Sequence, residues 1–147
     1  MRAVVQRVTA ADVKIDGEVR GKINSGFMIL LGVGEGDTEA DLKYIADKVI
    51  NLRIFSDENG KMNLSLADVN GEMLVISQFT LYGDCSHGRR PYFGDAMNPT
   101  DANRMYGDFV EYVRSHGIHV ETGEFGADMK VTLTNDGPVT IILDSRK

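Results

Sequence analysis

Cysteine, proline and tryptophan are nearly missing from this chain: one, three and none among 147 residues. The single thiol, Cys85, excludes an internal disulfide and a cysteine-ligated zinc centre, and it fits a reducing compartment. Basic residues are also short, 16 Lys and Arg against 22 Asp and Glu, for a net charge of −6. That balance argues against coating nucleic acid non-specifically, because such binding is built from many phosphate contacts. It leaves room for an enzyme that touches RNA locally and lets go. No apolar run nears the roughly 20 residues that span a bilayer; the longest, Phe27-Met28-Ile29-Leu30-Leu31, is strand-sized. Met1 to Arg7 holds no signal-peptide core, so a soluble cytoplasmic protein without a membrane partner is expected. His-x-x-x-His pairs and carboxylate clusters at metal spacing are missing too, and neither a metal nor a cofactor is expected.

What is present is the composition of a globular domain, 42% hydrophobic and 26% charged, outside the disordered class. No repeat or Pro/Gly/Ser-rich linker divides the chain, so residues 1–147 are expected to form one domain. Val4 to Ile15 and Glu18 to Arg20 read as a hairpin, with Asp16-Gly17 supplying the positive φ angles of a tight turn. Ile23 to Val33 is a strand apolar on both faces. Thr38 caps a helix whose Leu42, Ile45, Ala46, Val49 and Ile50 form one apolar stripe. Arg53-Ile54-Phe55 reads as a strand, and Met73 to Leu81 as the most buried one. A turn-rich stretch from Tyr82 to Asn98 precedes a second helix starting near Pro99. That helix turns Ala102, Met105, Tyr106, Phe109, Val110 and Val113 inward and stops at Gly117. Strands near Ile118–Val120, Lys130–Thr134 and Val139–Leu143 close the chain, the last two joined by an Asn135-Asp136-Gly137-Pro138 turn. The order is about β3-α-β2-α-β3, in the α/β class. Two helices cannot cover every face of so many strands, which points to sheet on sheet with both helices on one side.

Few segments carry chemistry. Gly32-Val33-Gly34-Glu35-Gly36 lies where a phosphate loop would, but it lacks Gly-Lys-Ser/Thr and carries acid, so it reads as a plain turn. Cys85 and His87 are too close in sequence to make a nucleophile–base pair, and His116 and His119 flank a helix stop. Ser77-Gln78-Phe79-Thr80 is more unusual: a buried strand ends in three hydrogen-bonding side chains around an aromatic. Alternation puts Gln78 and Thr80 on one face, Ser77 and Phe79 on the other. Either the strand emerges into solvent, or the polar groups have a purpose. Gly137-Pro138 before a strand admits a cis peptide bond. Arg89 and Arg90 in a glycine-containing loop are suited to phosphate or are ordinary surface charge.

Together these segments resemble the D-aminoacyl-tRNA deacylase family. Ser77-Gln78-Phe79-Thr80-Leu81 is similar to its first signature, and Asn135-Asp136-Gly137-Pro138-Val139-Thr140 to its second. Met1 to Val8, Asn51 to Phe55, Gly60 to Asn63 and Phe125 to Met129 also look like the family, so the resemblance covers the whole chain. One departure is His87-Gly88-Arg89-Arg90-Pro91-Tyr92-Phe93, where the family often has Lys-Gly-x-Arg-Pro-Ser-Phe. The resemblance implies a three-layer α/β/β fold and a homodimer with active sites at its interface. It implies an esterase that frees D-amino acids, and glycine, from the 3′ end of tRNA. Ser77, Gln78, Phe79 and Thr80 would form its catalytic segment. Gly137 and Pro138, in cis form, would enter the neighbouring subunit's pocket, take the substrate's amino group and clash with L side chains. Phe125, Met129 and Arg7 would complete substrate binding, with Arg89 and Arg90 touching the tRNA. The rival reading is a non-catalytic dimeric RNA-binding protein.

Overall fold

The computed structural model describes all residues from Met1 to Lys147. Eight strands and two helices follow in the order β1 (Arg2–Ile15), β2 (Glu18–Ile23), β3 (Gly26–Gly32), α1 (Glu39–Asn51), β4 (Phe55–Ser56), β5 (Met62–Leu64), β6 (Glu72–Ser77), α2 (Pro99–Arg114), β7 (Val120–Thr122) and β8 (Lys130–Asp144). The main sheet runs β2-β1-β3-β6-β7, with β8 on β1 and the pair β4-β5 apart. Pairing is antiparallel except β3–β6 and β6–β7, which are parallel.

Both helices present the apolar stripes that their periodicity predicts. Leu42, Ile45, Ala46, Val49 and Ile50 are buried on α1, and Ala102, Met105, Tyr106, Phe109, Val110 and Val113 on α2. The α1 N-terminus is closed by the Asp41 carboxylate, which accepts from the Thr38 N–H at 2.9 Å. Asn98 caps α2 by accepting from the Asp101 N–H at 3.0 Å, and Pro99 follows where its missing N–H costs nothing. No helix is long and apolar enough to cross a membrane.

The sheet has apolar side chains on both faces because something lies on each. On β3, Phe27, Ile29 and Leu31 join the helices in a large core, while Met28 and Leu30 point to a second, smaller cluster. On β6, Met73 and Val75 take the first face, Leu74 and Ile76 the second. Strand β1 serves both layers. Ala3 and Val5 face the large core, whereas Ala11 and Val13, of the same parity, face the small one. The switch coincides with a register shift between Val8 and Ala10, where an extra residue reverses which face alternate side chains occupy. Beyond it β1 leads β2 over the back of the sheet: a Cβ on Gly21 would lie 2.7 Å from the Thr122 carbonyl oxygen of β7. The result is helices, sheet and second β-layer.

Details differ from the sequence reading. The Arg53–Phe55 strand is instead Phe55–Ser56, paired with Met62–Leu64, and β7 starts at Val120, two residues late. Met73–Leu81 stops at Ser77. The two final strands are one, β8, and Asn135–Pro138 does not reverse the chain. Both halves of β8 pair with β1: Thr140 opposes Gln6 and Asn135 opposes Val8. Residues 136–139 therefore stand opposite Arg7 alone and loop out of the ladder.

Candidate functional site

Strand β6 ends because its hydrogen bonding changes partner. The Gln78 N–H makes the last sheet bond, to Leu31 at 2.8 Å, and Leu81 then donates to the Gln78 carbonyl at 3.3 Å. This closes a short 3-10 turn over Phe79–Tyr82. The alternation expected through Leu81 is thus broken after Ser77. Gln78 and Thr80 still meet, by the turn and not by the pleat: the Gln78 side-chain amide donates to the Thr80 hydroxyl. The N–H groups of Phe79 and Thr80 precede the first bond of the turn and have no partner inside it.

Tyr82 pins the far end of the turn. Its buried ring lies against Gly34, where a Cβ would fall 2.7 Å from the phenol oxygen. The Arg2 guanidinium sits 4.4 Å from the ring centre and donates to the Leu81 carbonyl at 2.8 Å. Burial raises the Tyr82 hydroxyl well above the ordinary tyrosine range. The glycine-rich stretch after β3 is therefore a packing surface and turn. Its Gly34 N–H donates to Asp37 at 2.6 Å, and Asp37 is buried against the Met1 amino group at 2.8 Å.

Ser77, Phe79 and Phe125 line one cleft of about 360 Å³, with Phe93, Met97 and Ala102. Phe125 reaches it from the segment before β8 and leans on Tyr106, ring centres 6.2 Å apart. Tyr106 in turn donates to the Val75 carbonyl at 2.6 Å, which fixes α2 against β6, and burial pushes its hydroxyl up to about 12. Met129 is not on this cleft; it packs on the smaller apolar cluster beside Gly123.

Arg89 and Arg90 are exposed in the loop that returns to the cleft. Asp84 and Tyr92 close that loop with reciprocal backbone bonds of 2.8 and 2.9 Å. The Ser86 hydroxyl and N–H hold the Asp84 carboxyl below the usual carboxylate range. Phe93 then meets Phe79 edge-on at 5.2 Å. Phe93 is the cleft residue that sequence reasoning passed over. Turn composition marks the loop as functional but does not say which ring points inward.

The second signature stands elsewhere. The Gly137–Pro138 peptide is cis, and Gly137 has φ 137°, a region L side chains avoid. Asn135 bridges the base of the excursion: its side-chain amide donates to the Val139 carbonyl at 3.1 Å, and its oxygen accepts from the Val139 N–H at 2.7 Å. Beneath it the buried Arg7 donates to the Asp136 carbonyl at 3.0 Å and to the Ile54 carbonyl at 2.6 Å. Arg7 thus touches Gly137–Pro138's own loop and not the cleft. Ser77 lies opposite Leu31, and Leu31 opposite Ala3, so the excursion at Arg7 is three strands across and four residues along. Within one chain the two signatures are not brought together. No three His, Cys, Asp or Glu side chains converge where they could hold a metal ion.

Comparison with known proteins agrees over the full length. A family described as D-Tyr-tRNA(Tyr) deacylase matches residues 4–144. The D-aminoacyl-tRNA deacylase of Thermosipho africanus is 58% identical, covering 100% of this chain and 99% of the relative. That of Clostridium botulinum strain Eklund 17B is 60% identical over the same shares. Among solved structures, the c-Myc DNA Unwinding Element Binding Protein superposes with a TM-score of 0.92 at 42% identity, covering 98% of each chain. A probable eukaryotic D-amino acid tRNA deacylase shares the fold, with a TM-score of 0.81 at 16% identity over 97% of each chain. The chain belongs to the D-Tyr-tRNA(Tyr) deacylase family.

Proposed function

We propose that the protein hydrolyses the ester between a D-amino acid and the 3′-terminal adenosine of tRNA, and that it also accepts glycyl-tRNA. One observation supports this reading most. The Ser77–Thr80 signature ends a buried parallel strand at an open apolar cleft and leaves two backbone N–H groups without partners in the turn. Ester hydrolysis builds negative charge on the carbonyl oxygen, and such donors stabilise it. Gln78 adds a side-chain amide beside them.

Thr80 is better suited to orienting the substrate than to attacking it. A hydroxyl nucleophile needs a base in contact, and the group in contact with Thr80 is an amide that donates to it. Water is then the nucleophile, positioned by the 2′-hydroxyl of the terminal ribose. Thr80→Ala is expected to keep measurable hydrolysis, while a 2′-deoxy terminus abolishes it.

Chirality is read by the second signature. Asp136, Gly137 and Pro138 are exposed and lie three strands from their own cleft, which favours their use in the cleft of a second copy. There the Gly137 and Pro138 carbonyls would accept from the substrate's amino group and leave no room for an L side chain. Recognition of backbone by backbone makes the enzyme indifferent to the D side chain. Arg89 and Arg90 carry the few contacts to tRNA phosphate.

The deciding experiment follows deacylation of matched D-, L- and glycyl-tRNA, with and without chelator. Rapid loss of the D and glycyl esters, with the L ester spared and chelator without effect, is the expected result. No hydrolysis by a folded dimer would leave a binding protein in place of an enzyme.

A further inference from the structure

Three exposed large apolar side chains stand on or beside the cleft: Phe79 is 54% exposed, Tyr92 61% and Phe93 38%. Single exposed rings are ordinary, but a contiguous group marks a contact surface. Phe79 and Phe93 line the cleft and hold each other edge-on. Tyr92 does not line it. It stands one step outside, fixed by its backbone pair with Asp84. Its phenol end lies over Gly94, where any Cβ would overlap the ring, so the glycine provides a seat for that ring. The Tyr92 face away from Gly94 is open.

The same loop carries Arg89 and Arg90, both exposed. Neither takes part in any ion pair of the chain. In a molecule of net charge −6, two free guanidinium groups next to an open aromatic face are selective for one chemistry. Aromatic faces stack unpaired bases, and adjacent arginines take the phosphates between them.

We propose that the Asp84–Phe93 loop is a stacking platform for single-stranded RNA. Tyr92 receives the base that precedes the terminal adenosine, and Arg89 and Arg90 take the phosphates on its 5′ side. This rests on the deacylase reading, which puts the adenosine and its ester in the neighbouring cleft. It adds a second reading step: the enzyme recognises an acceptor end whose penultimate base is unpaired and free to stack.

The test compares D-aminoacyl-tRNA with D-aminoacyl-adenosine, which has no second base. Tyr92→Ser is expected to lower kcat/KM on the tRNA roughly tenfold, the scale of one lost base stack. The loss falls in KM, the adenosine ester is unaffected, and Tyr92→Phe restores the tRNA reaction. A tRNA abasic at the penultimate position costs the wild type a similar factor and costs Tyr92→Ser nothing more. Equal losses on both esters, or fully additive losses with the abasic tRNA, overturn the platform. Direct titration with a short oligoribonucleotide ending in CCA separates the two readings. If the wild type hydrolyses neither ester yet binds the oligonucleotide more tightly than Tyr92→Ser, the deacylase reading falls and the platform stands. Equal binding by the two proteins removes the platform whatever the hydrolysis shows.

Discussion

Two segments of this protein leave the sheet, and they are held in opposite ways. At Ser77–Thr80 a strand ends, and the chain is suspended between a buried sheet bond and the pinned ring of Tyr82. Ser77 lines the cleft, and the Gln78 side-chain amide bonds the Thr80 hydroxyl. At Asn135–Val139 the strand continues after a detour whose base is tied by Asn135 and whose underside rests on Arg7. The first segment keeps donors free. The second has its backbone fixed from below while its tip stays exposed. A group that must stabilise a developing charge needs vacant N–H bonds, and a group that must exclude one enantiomer needs a rigid wall. The contrast in anchoring matches the two tasks proposed for them.

Removing the anchor of the rigid segment has the largest expected effect. Arg7→Ala strands the Ile54 and Asp136 carbonyls, and charged hydrogen bonds of this kind are worth about 1.5–3 kcal/mol each. A loss of about 3 kcal/mol in urea unfolding is expected, together with weakened discrimination between D and L esters. Retained stability and intact chirality would mean that the excursion stands without its support. Arg7→Lys is expected to rescue little, since one ammonium cannot reach both carbonyls in the guanidinium's fixed geometry.

The open segment is expected to show the reverse. Gln78→Ala changes stability by less than about 0.5 kcal/mol, as at other surface sites, but lowers kcat roughly a hundredfold if its amide supports the oxyanion. A large stability loss with a small kinetic one would erase the distinction between the two segments.

Acid gives the smallest and most selective effect. Burial alone would raise the Asp144 carboxyl, but the Arg146 N–H and the Arg2 guanidinium lower it further than burial raises it, to below its ordinary 3.8. A lowered carboxyl contributes stability above its unfolded value and loses it as pH falls through the folded one. As pH falls below 3.8 and through that lower folded value, Arg2 loses its partner at 3.0 Å, and with it part of its hold on the Leu81 carbonyl. Arg7 is tied chiefly to carbonyls, which do not titrate. Amide protection at Tyr82 and Gly83 should therefore fall before protection at Val139, by under about 1 kcal/mol. Simultaneous loss would show that the two segments open as one unit.

The sequence shows the helices far better than these two segments. A 3.6-residue repeat is a local property, and each stripe residue from Leu42 to Ile50 and from Ala102 to Val113 is buried as its spacing requires. Asn135-Asp136-Gly137-Pro138 has the local chemistry of a reversal, and nothing within it distinguishes a reversal from a detour. The partner strand decides, and β1 is long enough to pair with both halves of β8. The switch to a 3-10 turn after Ser77 is equally non-local, depending on Tyr82 finding its seat at Gly34. The separation of the two signatures within one chain follows from strand order, which no motif encodes.

The pairing of β1 with β8 also governs how the protein is made. Arg2 meets Asp144 and Lys14 meets Lys130, so β1 must wait for β8, which follows it at long range in the chain. Contacts of such sequence separation slow folding. Until β8 has been made, β1 shows one unpaired edge along its whole length, the kind of edge that recruits other chains. Nascent chains of this protein therefore pass through a period of vulnerability that ends only when β8 joins β1, and the demand on chaperones should track translation speed between the codons of the two strands.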